Sequence, residues 1–265
     1  METIKRGDGI AALTPHILNG AGKGTVLIFP GGGYNFVSPR EARFVADAYN
    51  KEGYNAFVLL YTTRETCGHE DPLLTKPLSE AAWAIAHIRE NAAKYSIDPD
   101  KIAVCGFSAG GHLAASLGNY WDKPMFFGGE KTPEMYKPNA LILCYPVISA
   151  GEYRHGGSIK NLAGVETGEA AAPWSMENHI SGNTPPAFIW HTAADEPVPV
   201  QNSLLFANGL SKHKIPFEMH IFPYGAHGLS LATPEVAELK ENRLADPHVA
   251  KWHSLSVDWL GITMK

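Results

Sequence analysis

Cysteine, long apolar runs and clusters of like charge are all scarce in this chain. Three cysteines, Cys67, Cys105 and Cys144, occur in 265 residues. An odd count without paired spacing excludes a disulfide framework. Two of the three lie inside apolar runs that read as buried strands, and the expected compartment is the reducing cytoplasm. Pro, Gly or charge interrupts every apolar run, so no transmembrane helix is predicted. The opening METIKRGDGI carries charges but no apolar stretch of signal-peptide length behind them. Lys and Arg number 22 against 27 Asp and Glu, a net −5, with no basic run. Neither nucleic acid nor an acidic membrane surface is therefore an expected partner. Walker and GxGxxG patterns are missing, and His and Cys show no zinc-type spacing, so neither cofactor nor metal is expected.

What remains is an ordinary compact composition, 45% hydrophobic and 18% charged, long enough for one large single-core domain over residues 1–265. From about residue 25, β-rich apolar runs alternate with helical patterns. Strands are predicted at Thr25–Phe29, Tyr54–Tyr61, Lys101–Cys105, Ala140–Tyr145, Ala187–His191 and Phe217–Phe222. Helices are predicted at Pro77–Tyr95, Ala109–Tyr120, Val200–Lys212 and about Pro247–Leu260. A further helix follows Ser38 as cap, with Pro39 at its first position and Glu41 completing a capping box. Such alternation implies right-handed crossovers and a mostly parallel sheet with helices on both faces. Residues 2–24 are too Gly-rich to assign beyond an antiparallel edge strand near Ile17. Residues 150–184 show no clear period and read as a short, cap-like insertion near the catalytic edge of the sheet.

The sharpest local signal is Gly106-Phe107-Ser108-Ala109-Gly110, set between a predicted strand and a predicted helix. A serine on so sharp a turn presents its hydroxyl above the sheet, and glycines two residues either side let strand and helix approach. An acid should follow a later strand, and Asp195 stands where the chain leaves Ala187–His191, with Glu196 as the neighbouring alternative. A base should follow the last strand. Of 12 histidines, His227 alone lies between small residues in a post-strand loop downstream of both Ser108 and Asp195. His191 and His220 fall within strands and read as structural, and His112, on the helix after Ser108, as a support for the turn. Pro30-Gly31-Gly32-Gly33-Tyr34 follows the first parallel strand. Its free N–H groups, with that of Ala109, suit an oxygen that gains negative charge.

Together these segments resemble the bacterial acetylesterase branch of the α/β-hydrolases, close to acetylxylan esterase-like carbohydrate esterases. The resemblance rests on PGGGY at 30–34, GFSAGGHLA at 106–114, PPAFIWHTAADEPVPVQNS at 185–203 and HIFPYGAHGLSL at 220–231. It implies the α/β-hydrolase fold, Ser108, Asp195 and His227 as a catalytic triad, and Gly32 and Ala109 as oxyanion donors, with Gly33 the alternative to Gly32. Lipase-type relatives usually carry His before the glycines. This chain has Pro30, so hydrogen bonds that order the loop must come from elsewhere.

The implied activity is hydrolysis of short-chain, chiefly acetyl, esters on oligosaccharides such as xylooligosaccharides. A prolyl-oligopeptidase-like peptidase and a general carboxylesterase or lipase are the alternatives. Tyr34 and the aromatics of the insertion, Tyr153 and Trp174, are candidate substrate contacts. The exposed sheet edge and the last, Trp-bearing helix are the surfaces on which a homo-oligomer would form.

Overall fold

Thr25–Phe29 is buried at all five positions, and the reason lies on both sides of it. Val26 and Ile28 point into one core with Val58, Cys105, Ile142, Phe188 and Trp190. Leu27 and Phe29 point into the other with Phe57, Leu59, Val104, Leu141 and Ile189. Alternate residues of a strand face opposite sides. A strand covered on both faces therefore reads as one unbroken apolar run.

The computed structural model describes all residues except 1, 8, 69–71, 124, 126–127 and 129–130. Among the described residues, the strands are β1 (Ile4–Lys5), β2 (Ala12–His16), β3 (Thr25–Phe29), β4 (Asn55–Leu60), β5 (Ile102–Phe107), β6 (Ala140–Cys144), β7 (Ala187–Thr192) and β8 (Phe217–Phe222). They form one sheet in the order β1-β2-β4-β3-β5-β6-β7-β8. The pairs β1–β2 and β2–β4 are antiparallel, and every pair from β4 to β8 is parallel. An antiparallel strand does lie near Ile17, as β2, ending one residue earlier, but β1 pairs outside it and is the edge.

The helices are α1 (Arg43–Lys51), α2 (Arg64–Cys67), α3 (Lys76–Glu90), α4 (Ala92–Tyr95), α5 (Ala109–Tyr120), α6 (Gly156–Ala163), α7 (Gln201–Lys212) and α8 (Lys251–Thr263). Apolar residues of α3, α5, α6 and α7 join the Leu27 core, and those of α1 and α8 join the Val26 core. The helix expected at about Pro247 begins at Lys251. Asp246 Oδ1 instead accepts the N–H groups of His248 and Val249 in a preceding turn.

Two local expectations are corrected. The capping box at Ser38 and Glu41 does not form. Pro39–Glu41 is a single 3-10 turn without a side-chain cap, and α1 starts only at Arg43. The Glu41 carboxylate is drawn inward, where Gly31 N–H and Tyr145 Oη–H both donate to it. Residues 150–184 also hold regular structure that the sequence hides. Helix α6 opens on His155 and closes on Gly164 in the left-handed region, with Ile159 and Leu162 buried. Two glycines in its first turn blur the helical period. The three cysteines are free, and Cys105 and Cys144 are neighbours in the core, Sγ to Sγ 4.0 Å.

Candidate active site

β5 runs straight into α5 through one residue, Ser108, held at φ 52° and ψ −116°. A non-glycine residue in that region stores about 1–3 kcal/mol of strain, which the surrounding packing must hold. The packing is close. A Cβ on Gly106 would meet Gly110 O at 2.2 Å, and one on Gly110 would meet Phe29 O at 2.1 Å. Both contacts are with backbone, so neither glycine can give way to a larger residue without moving the turn.

Ser108 Oγ lies 2.8 Å from His227 Nε2, and His227 Nδ1 lies 2.6 Å from Asp195 Oδ2. The carboxylate can only accept, so Nδ1 carries the proton and Nε2 is free to take one from the serine hydroxyl. Of the two acidic candidates, Asp195 is buried while Glu196 is exposed. Asp195 Oδ1 accepts from Val198 N–H, so both carboxylate oxygens are engaged.

His191 packs below the pair. It donates from Nε2 to Val198 O, accepts from Ser203 Oγ at Nδ1, and lies 3.3 Å from Asp195 Oδ2. Burial alone would raise the Asp195 carboxyl. The closeness of His191 and the hydrogen bond from His227 outweigh it and hold the group at about 2, below its ordinary 3.8. A depressed carboxylate stabilises the fold above its unfolded value, and that stability is lost as pH falls through the folded one. Denaturant titrations of wild type and Asp195→Asn should therefore differ by on the order of 2 kcal/mol more at pH 5 than at pH 2.

Two arginines hold the loop that carries His227. Arg243 Nε donates to His227 O and Arg40 Nη1 to Gly228 O, consecutive carbonyls of one turn. Glu238 pairs with Arg243 at 2.7 Å, and Arg40 Nε also donates to Val236 O. The other histidines singled out in the sequence are occupied elsewhere. His220 pairs with Glu218. His112 is wholly buried beneath the elbow, where burial lowers its pKa to about 4.

The glycine loop is ordered from below, and this supplies what Pro30 cannot. Tyr61 Oη donates to Pro30 O, and Gly31 N–H donates to Glu41. Gly32, at φ +124°, accepts from the N–H groups of Asn35 and Phe36, and a Cβ there would meet Phe36 O at 2.1 Å. Asn161 on α6 donates to Gly33 O. Among the described residues the N–H groups of Gly32, Gly33 and Ala109 have no acceptor. Three unpaired donors thus border the serine.

These groups open into a cleft of about 1070 Å³ lined by Ser108, His227, Gly32, Gly33, His155, Glu238 and residues 241–246. Two expected substrate contacts are corrected here. Tyr34 is 1% exposed and Trp174 5% exposed, and neither lines the cleft. His112 explains both. Tyr34 Oη donates to its Nδ1, and its Nε2 donates to Trp174 O, so the two aromatics are tied inward as a support for α5. Tyr153 does not line the cleft either. Conversely, the sequence does not single out His155, Asn161 and Arg243, although all three border the cleft. The only local hint is the run after His155, Gly-Gly-Ser-Ile, which a side-chain cap at 155 turns into a helix start.

A family model described as BD-FAE matches residues 19–210. Endo-1,4-beta-xylanase B of Butyrivibrio fibrisolvens is 43% identical over 211 residues, 79% of this chain and 33% of its own length. An acetylxylan esterase of Xylanibacter ruminicola is 30% identical over 222 residues, 81% of this chain and 42% of its own. The chain thus spans well under half of the curated relatives it matches. Among solved structures, the acetyl ester-xyloside bifunctional hydrolase of Caldicellulosiruptor lactoaceticus has 36% identity and a TM-score of 0.82, over 97% of this chain and 94% of that one.

Proposed function

The chain belongs to the BD-FAE family and has the α/β-hydrolase fold, and from that premise we propose that it is a serine esterase acting on short-chain, chiefly acetyl, esters of xylooligosaccharides. The observation that carries the reading is the unbroken hydrogen-bonded chain from Ser108 through His227 to the depressed carboxylate of Asp195. Ser108 Oγ attacks the ester carbonyl carbon while its proton passes to His227 Nε2. Asp195 stabilises the imidazolium that results. The carbonyl oxygen, now an oxyanion, takes hydrogen bonds from Ala109 N–H and from Gly32 or Gly33 N–H. Collapse breaks the bond to the alcohol oxygen, which leaves with the proton from His227. Water then attacks the acyl carbon and gives a proton to His227; collapse breaks the bond to Ser108 Oγ, which takes that proton back from His227 as the acid leaves.

The similarity to an acetylxylan esterase and to an acetyl ester-xyloside hydrolase supports the acetyl and xylose preferences. A fluorophosphonate should label wild type at Ser108 and leave Ser108→Ala unlabelled. Turnover of p-nitrophenyl esters should fall from acetate to butyrate to octanoate, and acetate should be released from acetylated xylooligosaccharides. Fastest turnover on octanoate would move the reading to a general carboxylesterase or lipase. Equal labelling of the Ser108→Ala variant would overturn the serine assignment.

A further inference from the structure

His155 stands at the rim of the cleft as the cap of α6, and its ring nitrogens are in different circumstances. Nδ1 lies 3.2 Å from Ser158 N, which donates to it. It is also 2.7 Å from Ser158 Oγ. A backbone N–H can only donate, so Nδ1 must present its lone pair, and the proton of the neutral ring sits on Nε2. Nε2 has no acceptor among the described residues, and the side chain lines the cleft beside Ser108 and Gly33. A Cβ built on Gly33 would stand 3.9 Å from His155 Cε1, so the ring lies against the glycine loop. Burial pushes its pKa down, His227 pushes it further and Asp195 partly opposes them.

We propose that His155 is a specificity-determining donor, whose Nε2–H hydrogen-bonds an oxygen on the alcohol portion of the ester, a sugar hydroxyl or ring oxygen. The inference rests on the esterase reading above. His227 must deliver its proton to the departing alcohol, so the alcohol occupies the His227 side of the serine. His155 lines the same cleft as Ser108 and His227. A donor fixed in one tautomer rewards an alcohol that carries an acceptor and gives nothing to a hydrocarbon of the same size. The cap thus has two effects at once. It starts α6, and it leaves a single N–H without an acceptor among the described residues, on a residue that lines the cleft.

The test compares a methyl xyloside monoacetate with cyclohexyl acetate, a ring of similar size without further oxygens, in wild type and in His155→Asn and His155→Ser. Asn and Ser both serve as helix N-caps, so α6 keeps its start while the Nε2–H is lost. Wild type should prefer the xyloside ester, and both variants should lower the xyloside-to-cyclohexyl ratio of kcat/KM by about tenfold, the worth of one hydrogen bond. An unchanged ratio in the variants would sink the proposal. So would an equal fall on both substrates, or the absence of a xyloside preference in wild type. Hydrolysis of both esters by Ser108→Ala would be a separate failure, of the serine reading itself.

Discussion

Asp195→Asn should lower kcat by about four orders of magnitude while KM stays within a few-fold of wild type. Asparagine has the shape of aspartate, so the site should remain packed. The chemistry is what changes. If the new amide turns its Nδ2 toward His227, it donates to Nδ1 and drives the ring proton to Nε2, where it can no longer accept from Ser108. If it turns its oxygen there instead, Nδ2 confronts Val198 N–H, a donor now left without an acceptor, where the native Oδ1 accepts at 2.9 Å. In both orientations the negative charge that stabilises the imidazolium is gone. The check is steady-state kinetics on p-nitrophenyl acetate, with a melting curve to show that the variant folds. A variant that kept kcat and lost only stability would reduce Asp195 to a structural anchor for residues 195–198.

The contrast between Asp195 and Glu41 shows which parts of such a site are legible in sequence. Ser108 is legible because its turn imposes glycines at fixed offsets, and Gly106 and Gly110 meet backbone atoms that leave no room for anything else. Asp195 and His227 are legible because each lies in the loop that follows a strand predicted from the sequence. Glu41 is not. Its two donors are Gly31 N–H, ten residues before it, and Tyr145 Oη, more than a hundred residues after it. The local pattern Ser38-Pro39-Arg40-Glu41 looks like a helix start, and tertiary contacts overrule it. Tyr34 and Trp174 misread for a related reason. An aromatic residue near the glycine loop has the same sequence whether it faces the cleft or ties inward to His112.

Glu41 is accordingly where the second large effect is expected. Its side chain joins three parts of the site beneath the surface. Oε2 holds Gly31 and with it the glycine loop, while Oε1 accepts from Tyr145 at the end of β6. The same Tyr145 Oη accepts from Ser230 N–H in the segment that follows His227. Glu41→Ala would leave a buried N–H and a buried hydroxyl without acceptors, each costing about 1–3 kcal/mol. The expected loss in urea denaturation is about 2–4 kcal/mol, a large share of a single domain's stability. Glu41→Gln keeps one acceptor oxygen and the volume, and should lose roughly half as much. Activity should report the same link, because loosening Gly31 displaces the adjacent Gly32 and Gly33 donors from the oxygen they are to stabilise. At a temperature where Glu41→Gln is fully folded, its kcat should fall by about tenfold or more, the scale of a weakened oxyanion contact. A stability loss with kcat unchanged would mean that the glycine loop keeps its geometry without Glu41, through Tyr61 and Asn161 alone.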